Sequence, residues 1–290
     1  MSTQRIGFVG LGQIGAPMAR RLLDWPGGLV VYDVAPEPVA RLVEQGAQAA
    51  DDLADLAARV GLLCVMVRDD AQVEAVLDEV APAARDGLVV AVHSTLAPDT
   101  PRRLAAAAAD RGVRLVDAPV SGGAVAAAEG RLAILVGGDA DAYEACARPF
   151  ELLGERIVHA GEVGAGTRMK LARNLLHFVA FTAVGEAQRL AEAAGLDLVE
   201  LGEVVRHTDA ITGGPGAIMH RDTAAVLGDD DPWRSIMEHV ADLGHKDLRL
   251  ATELADELGV DVPLAQRARR DLGRALGLVG EPDPIEEART

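Results

Sequence analysis

The chain has 290 residues, enough for one large or two ordinary domains, and 49% of them are hydrophobic, ample for a buried core. Its 28 basic and 45 acidic residues leave a net charge of −17, a surface that repels phosphate backbones and sets nucleic acid aside as a partner. No run of about 20 apolar residues offers a membrane span, and no basic region with a following apolar stretch precedes the first strand-like run, so neither a membrane nor a signal peptide is expected.

From the N-terminus, β-rich runs alternate with helical patterns. The strand candidates are residues 5–10, 29–33, 61–67, 87–93, 113–117 and 132–137. They are apolar throughout instead of alternating, the pattern of parallel strands covered on both faces. Ala-, Leu-, Arg- and Glu-rich stretches between them supply the covering helices, which predicts an α/β fold with a doubly wound parallel sheet over residues 1–162. Beyond residue 162 the strand signals stop. Residues 164–194 read as one helix, about 45 Å long at 1.5 Å per residue, with apolar side chains on most faces, among them Leu171, Leu175, Leu176, Phe178, Val179, Phe181 and Val184. Such a helix outruns one domain and predicts burial between domains or subunits, hence a homodimer or higher homo-oligomer. Helical patterns resume at 198–207, 233–258 and 263–278, separated by a Gly/Pro turn at 212–216 and an acidic loop at 228–231. An all-α C-terminal domain over 195–290 is therefore expected, joined to the sheet domain by a long interdomain helix over 163–194. Residues 281–290, with prolines and several charges, read as a loose tail.

Cys64 stands in an apolar strand-like run and Cys146 in a helical one. Both read as small buried hydrophobes and fit a reducing cytoplasm. The aspartates of the acidic loop lack interleaved ligands at a defined spacing, and the seven histidines show no metal-ligand spacing with Cys or Glu, so no metal is assigned.

The first strand runs into Gly10-Leu11-Gly12-Gln13-Ile14-Gly15 and then a helix-forming stretch, the strand–turn–helix context in which G-x-G-x-x-G binds a dinucleotide in a Rossmann domain. Gly10 permits the tight turn, Gly12 lets the backbone approach a pyrophosphate, Gly15 lets helix and strand pack, and the helix start offers unpaired N–H groups. The second strand ends at Asp33, roughly 20 residues on, where a carboxylate accepts hydrogen bonds from the adenosine ribose and repels a 2′-phosphate. Val34-Ala35-Pro36 follows with no arginine, which favours NAD over NADP.

Two further glycine-rich segments, residues 117–123 and 164–174, join the opening motif, His93-Ser94-Thr95, and residues 245–251 (His-Lys-Asp-Leu-Arg-Leu-Ala). On these five segments, in order through nearly the whole length, the chain resembles the β-hydroxyacid dehydrogenases. The resemblance implies reversible hydride transfer between a nicotinamide and a small anionic hydroxy acid or its semialdehyde, with Lys170 as general acid and base. That role suits a lysine whose partial burial lowers its proton affinity toward neutrality. Asn174 lies four residues later on the same helix face and is implied as a substrate contact. Ser121, Gly122 and Gly123 form a loop whose N–H groups and hydroxyl can cradle a carboxylate, its function in the family. The resemblance also places Thr95 beside the nicotinamide, Val67 and Arg68 along the cofactor, and Lys246 on the cofactor side.

Several residues depart from the family pattern. Arg173 replaces the first of two paired asparagines, His93 stands where aspartate is common, Arg68 replaces proline, and His239 takes a frequent phenylalanine position. An inward-facing Arg173 would suit an anionic substrate; an outward-facing one would say nothing. Two other readings stay open: imine reduction, although the related imine reductases generally lack a lysine at this helix position, and a catalytically silent dinucleotide-binding protein.

Overall fold

Ile6–Val9, Leu62–Val65 and Val89–Val92 are buried along their whole length, as unbroken apolar runs must be when helices cover both faces of a sheet. The structure, a computed structural model, describes residues 4–219, 221 and 223–279, so the tail read over 281–290 lies outside the described residues. The elements run β1 (Ile6–Val9), α1 (Gly15–Arg21), β2 (Leu29–Tyr32), α2 (Pro36–Val43), β3 (Gln48–Ala49), α3 (Leu53–Arg59), β4 (Leu62–Val65), α4 (Asp70–Ala83), β5 (Val89–Val92), α5 (Thr100–Ala109), β6 (Arg114–Asp117) and β7 (Val120–Ser121). They continue with α6 (Gly123–Glu129), β8 (Leu132–Gly137), α7 (Ala140–Phe150), β9 (Gly154–Gly161), α8 (Ala165–Ala193), α9 (Leu198–Thr212), α10 (Arg234–Leu258) and α11 (Pro263–Ala275).

Among the described residues the strands form one sheet in the order β3-β2-β1-β4-β5-β6-β8-β7, with β9 also paired to β8. The strands from β3 to β6 are parallel, and the order reverses beside β1, where a doubly wound sheet opens a crevice at its strand ends. One apolar layer holds Phe8, Met18, Cys64, Cys146 and Phe150, and the other holds Val30, Leu56, Leu63, Val90 and Leu104. The far side of the sheet is mixed, which the apolar runs did not reveal: β8 lies antiparallel to β6 and β7, and parallel to β9. Three strands escaped the sequence reading. β3 and β7 have two residues each, and β9 carries Glu155, Arg156 and His159 among half-exposed neighbours, so none forms a buried apolar run.

The chain divides into two compact units, Met1–Asn174 and Leu175–Thr290. Helix α8 is continuous for 29 residues, close to the expected 164–194. In the second unit a small core of Leu227, Met237, Ala241 and Leu276 forms around α10. Glu186 of α8 is buried, and its carboxylate accepts the N–H groups of Leu264 at 2.7 Å and Ala265 at 2.9 Å, capping α11. The expected burial of α8 is not met within the single chain: Leu175 is 69% exposed, Phe178 59% and Phe181 58%. Among the described residues no helix is long and apolar enough to cross a membrane.

Candidate active site

The loop from β1 into α1 is held by its own glycines. Gly10 has φ +89°, and a Cβ there would stand 2.1 Å from the Met66 carbonyl oxygen; a Cβ on Gly15 would stand 1.9 Å from that of Gly10. Gly12 differs, because a Cβ there would meet nothing within 4 Å. Packing of the chain does not demand glycine at 12, whereas a group approaching the loop from outside would. The space it leaves belongs to a cleft of about 710 Å³ lined by Gly10, Gly12, Gln13, Ile14, Gly15, Asp33, Val67 and Arg68 among others. A cradle of that size, at a glycine loop and the sheet's reversal point, fits a dinucleotide.

Leu11 is buried and outside the cleft lining, and its N–H donates to Asp33 Oδ2 at 2.6 Å, while Ala35 N–H donates to Oδ1 at 2.8 Å. Asp33 therefore clamps the glycine loop to the end of β2. Each oxygen accepts one amide and keeps a lone pair for a ribose hydroxyl. Val34 beside it is 92% exposed and carries no charge that could receive a 2′-phosphate.

On the opposite wall, Ser94 Oγ donates to the Val67 carbonyl at 2.6 Å and accepts Val67 N–H at 3.0 Å. Arg68 N–H donates to Gln72 Oε1 at 2.9 Å, and its exposed guanidinium pairs with Asp69 at 3.2 Å. Thr95 is exposed and lies outside the cleft lining. His93 is buried against Phe8 and Phe150, and its Nδ1–H donates to the Ala118 carbonyl at 2.8 Å. Burial lowers its pKa from 6.5 to about 4, so this departure from the family pattern is a neutral core side chain.

Ala118 opens the segment that leads to Ser121, half-buried at the end of β7, and to Gly122 and Gly123, both exposed with positive φ. Asp117, just before it, accepts N–H groups from Gly164 and Thr167 at 2.6 Å each and so joins this segment to the start of α8. One turn further along α8, Lys170 is only 8% exposed. Desolvation first, and the positive charge of Arg173 second, lower its pKa from 10.5 to about 8. Asn174 follows on the same face, half-buried, with its Oδ1 3.4 Å from the Arg173 guanidinium. Arg173 itself is exposed, so the anion-binding role that an inward-facing arginine would have is not carried forward. Lys246 and His239 lie exposed on α10, the lysine paired with Asp247 at 3.2 Å.

Residues 5–161 match the sequence model of the NAD-binding domain of 6-phosphogluconate dehydrogenase, and residues 164–282 that of the NAD-binding domain of NADP-dependent 3-hydroxyisobutyrate dehydrogenase. The chain belongs to the β-hydroxyacid dehydrogenase family. As a β-hydroxyacid dehydrogenase it is an NAD(P)-dependent oxidoreductase. It is 36% identical to the NAD-dependent L-serine dehydrogenase of Pseudomonas aeruginosa, covering 91% of this chain and 90% of that one. It is 35% identical to the 3-hydroxyisobutyrate dehydrogenase of the same organism, covering 91% and 89%. A crystal structure of an oxidoreductase-class protein from Mycobacterium avium 104 has 49% identity and a TM-score of 0.92, covering 96% of this chain and 100% of that one. An imine reductase from Pseudomonas sp. shares the fold alone, with TM-score 0.76 at 21% identity over 95% of each chain.

For this dehydrogenase the sequence reading passed over one wall of the cleft, formed by Gln72, Ala75, Val76 and Glu79. They recur at three- and four-residue steps along α4, so one helix face supplies all of them. That periodicity was visible, but only the sheet order shows that the face borders the glycine loop.

Proposed function

We propose that this β-hydroxyacid dehydrogenase transfers hydride reversibly between NAD and a small β-hydroxy acid or its semialdehyde, with Lys170 as the general acid and base. The observation that carries this reading is the state of Lys170: buried on α8, without a carboxylate partner among the described residues, and lowered to a pKa of about 8. Such a lysine holds both protonation states near neutral pH and serves either direction.

Bound at the cleft, the nicotinamide supplies the hydride acceptor for oxidation and the donor for reduction. During oxidation the neutral Nζ of Lys170 takes the hydroxyl proton, so that the carbinol C–H electron pair leaves as hydride and a carbonyl forms. During reduction the ammonium returns that proton to the carbonyl oxygen. Asn174 offers its amide to the same oxygen or to the substrate carboxylate, and Ser121, Gly122 and Gly123 receive the carboxylate. Asp33 supports NAD over NADP by its charge and by the absence of a cation at Val34. Thr95 and Lys246 complete the cofactor-side set. In this reading the chain is organised as a dinucleotide-binding domain (1–162), an interdomain helix (163–194) and a helical substrate and dimerisation domain (195–290). It works as a cytoplasmic homodimer or higher homo-oligomer, without nucleic acid or membrane partners.

The test is a panel of short β-hydroxy acids, L-serine and 3-hydroxyisobutyrate included, and their semialdehydes, assayed with NAD(H) and NADP(H). Lys170→Ala is expected to lower kcat by about 10²–10⁴-fold. Oxidation by the wild type should rise, and reduction fall, as pH increases through about 8. A wild type inert across the panel, or a variant at full rate, would end the proposal, and tighter binding of NADPH than NADH would reverse the cofactor assignment.

A further inference from the structure

We infer that Asp117 is the positioning residue for Lys170, its carboxylate pinning the first turn of α8 and thereby fixing the lysine's depth. The inference rests on the acid–base role proposed for Lys170. Helix α8 begins at Ala165, and its first N–H groups have no acceptor within the helix. Gly164 precedes it, so no neighbouring side chain caps this start. The acceptor arrives from 47 and 50 residues away: Asp117 Oδ1 takes Gly164 N–H and Oδ2 takes Thr167 N–H, each at 2.6 Å. Asp117 is completely buried, and these amides of the helix start offset its charge.

The anchor has no slack. A Cβ on Gly137 would stand 2.4 Å from Asp117 Oδ1, and one on Gly166 would stand 2.1 Å from the Leu135 carbonyl oxygen. The helix start is thus pressed onto the ends of β6 and β8, with no room for a methyl group. Lys170 lies three residues beyond Thr167 on the same face, Thr167 being completely buried and Lys170 8% exposed. The charged groups around this helix start are Asp117 from β6, Arg102 from α5, Glu162 just ahead of the helix, and Arg168 and Arg173 of α8 itself, with the Glu162 and Arg168 side chains exposed. Arg102 packs its Cγ 3.4 Å from a Cβ at Gly164 and pairs with Asp99. Arg173 supplies the field felt by the lysine, so Asp117 acts on Lys170 by placing it.

The test is Asp117→Asn in the full chain. Asparagine keeps the volume but sets an NH₂ against one of the two amide donors. NADH binding, read by fluorescence titration, should match the wild type, while kcat falls about tenfold or more through misplacement of the acid–base group. The pH limb due to the lysine should move up from about 8 toward the ordinary lysine value as the ammonium gains water. A merely structural role would lower the melting temperature and leave that limb in place, and an unmoved limb overturns the proposal. Amide hydrogen exchange on the wild type is independent of the variant's folding and of turnover. Slow exchange at Gly164 and Thr167 supports the anchor, and rates typical of an open helix start overturn it. Full activity in Lys170→Ala would instead remove the dehydrogenase mechanism, a result the exchange measurement does not share.

Discussion

A histidine closing a strand beside a cofactor cleft would ordinarily titrate near neutrality, but His93 is buried and held at a pKa of about 4. The folded chain thus favours its neutral form, and the Nδ1 proton is committed to the Ala118 carbonyl. Its contribution to stability is complete above pH 6.5, where the unfolded chain is also neutral. It is lost as pH falls from 6.5 toward 4, because the unfolded chain takes up a proton that the folded chain refuses. The difference amounts to roughly 3 kcal/mol across that window. His93→Asn keeps an N–H for Ala118 and removes the titration. Urea unfolding across the window should show the wild type losing more stability with acid than the variant, and parallel curves would refute the linkage. The sequence singled out His93 as a departure from the family pattern, but its burial between Phe8 and Phe150 depends on sheet and helix packing that no local pattern carries.

At the scale of elements, the glycine loop separates what the fold requires from what a ligand requires. Gly15→Ala forces a methyl within 1.9 Å of the Gly10 carbonyl oxygen, and should cost about 1–3 kcal/mol or more in stability. Gly12→Ala meets nothing within 4 Å, and should melt as the wild type does. It should nevertheless weaken NADH binding about tenfold or more, because its methyl occupies the approach to the pyrophosphate. Thermal melts with NADH titrations read both, and undiminished binding in Gly12→Ala would place the pyrophosphate elsewhere. The loop, the buried strands and the long helix were legible because each writes its constraint into neighbouring residues. The caps were not. Asp117 on α8 and Glu186 on α11 act across 47 and 78 residues, a span over which sequence spacing says nothing. The charged edge strand β9 was hidden for the opposite reason, since half of its surface faces outward and lacks the apolar signature.

For the whole molecule, the unburied side of α8 poses the question of what covers it. Leu175, Phe178, Phe181 and Val184 are 69%, 59%, 58% and 48% exposed, and Phe178 and Phe181 stand edge-on with ring centroids 6.0 Å apart. Spaced three residues apart, these side chains drift about half-way around the helix as a slanting apolar stripe, and exposed apolar surface of this extent is the mark of an interaction surface. The same chain carries further exposed apolar side chains on α9 and α10, including Val199, Ile211, Ile236 and Leu250, all at least 49% exposed. In a two-fold assembly a second copy would supply such a face, each chain giving and receiving the same kind of surface. Against this, a net charge of −17 makes two copies repel at long range, so a dimer would have to be held at short range by apolar burial. Two consequences follow for sedimentation at micromolar concentration: the wild type should run at twice the chain's mass, and should hold there as salt is raised, because screening removes the repulsion and leaves the apolar contact intact. Phe178→Glu combined with Phe181→Glu puts two like charges into each copy of the stripe. That variant should sediment as a monomer with its NADH affinity retained, since the cleft belongs to residues of the first unit. A wild type that is monomeric under these conditions, or a double variant that stays dimeric, would show that another surface covers or replaces this one.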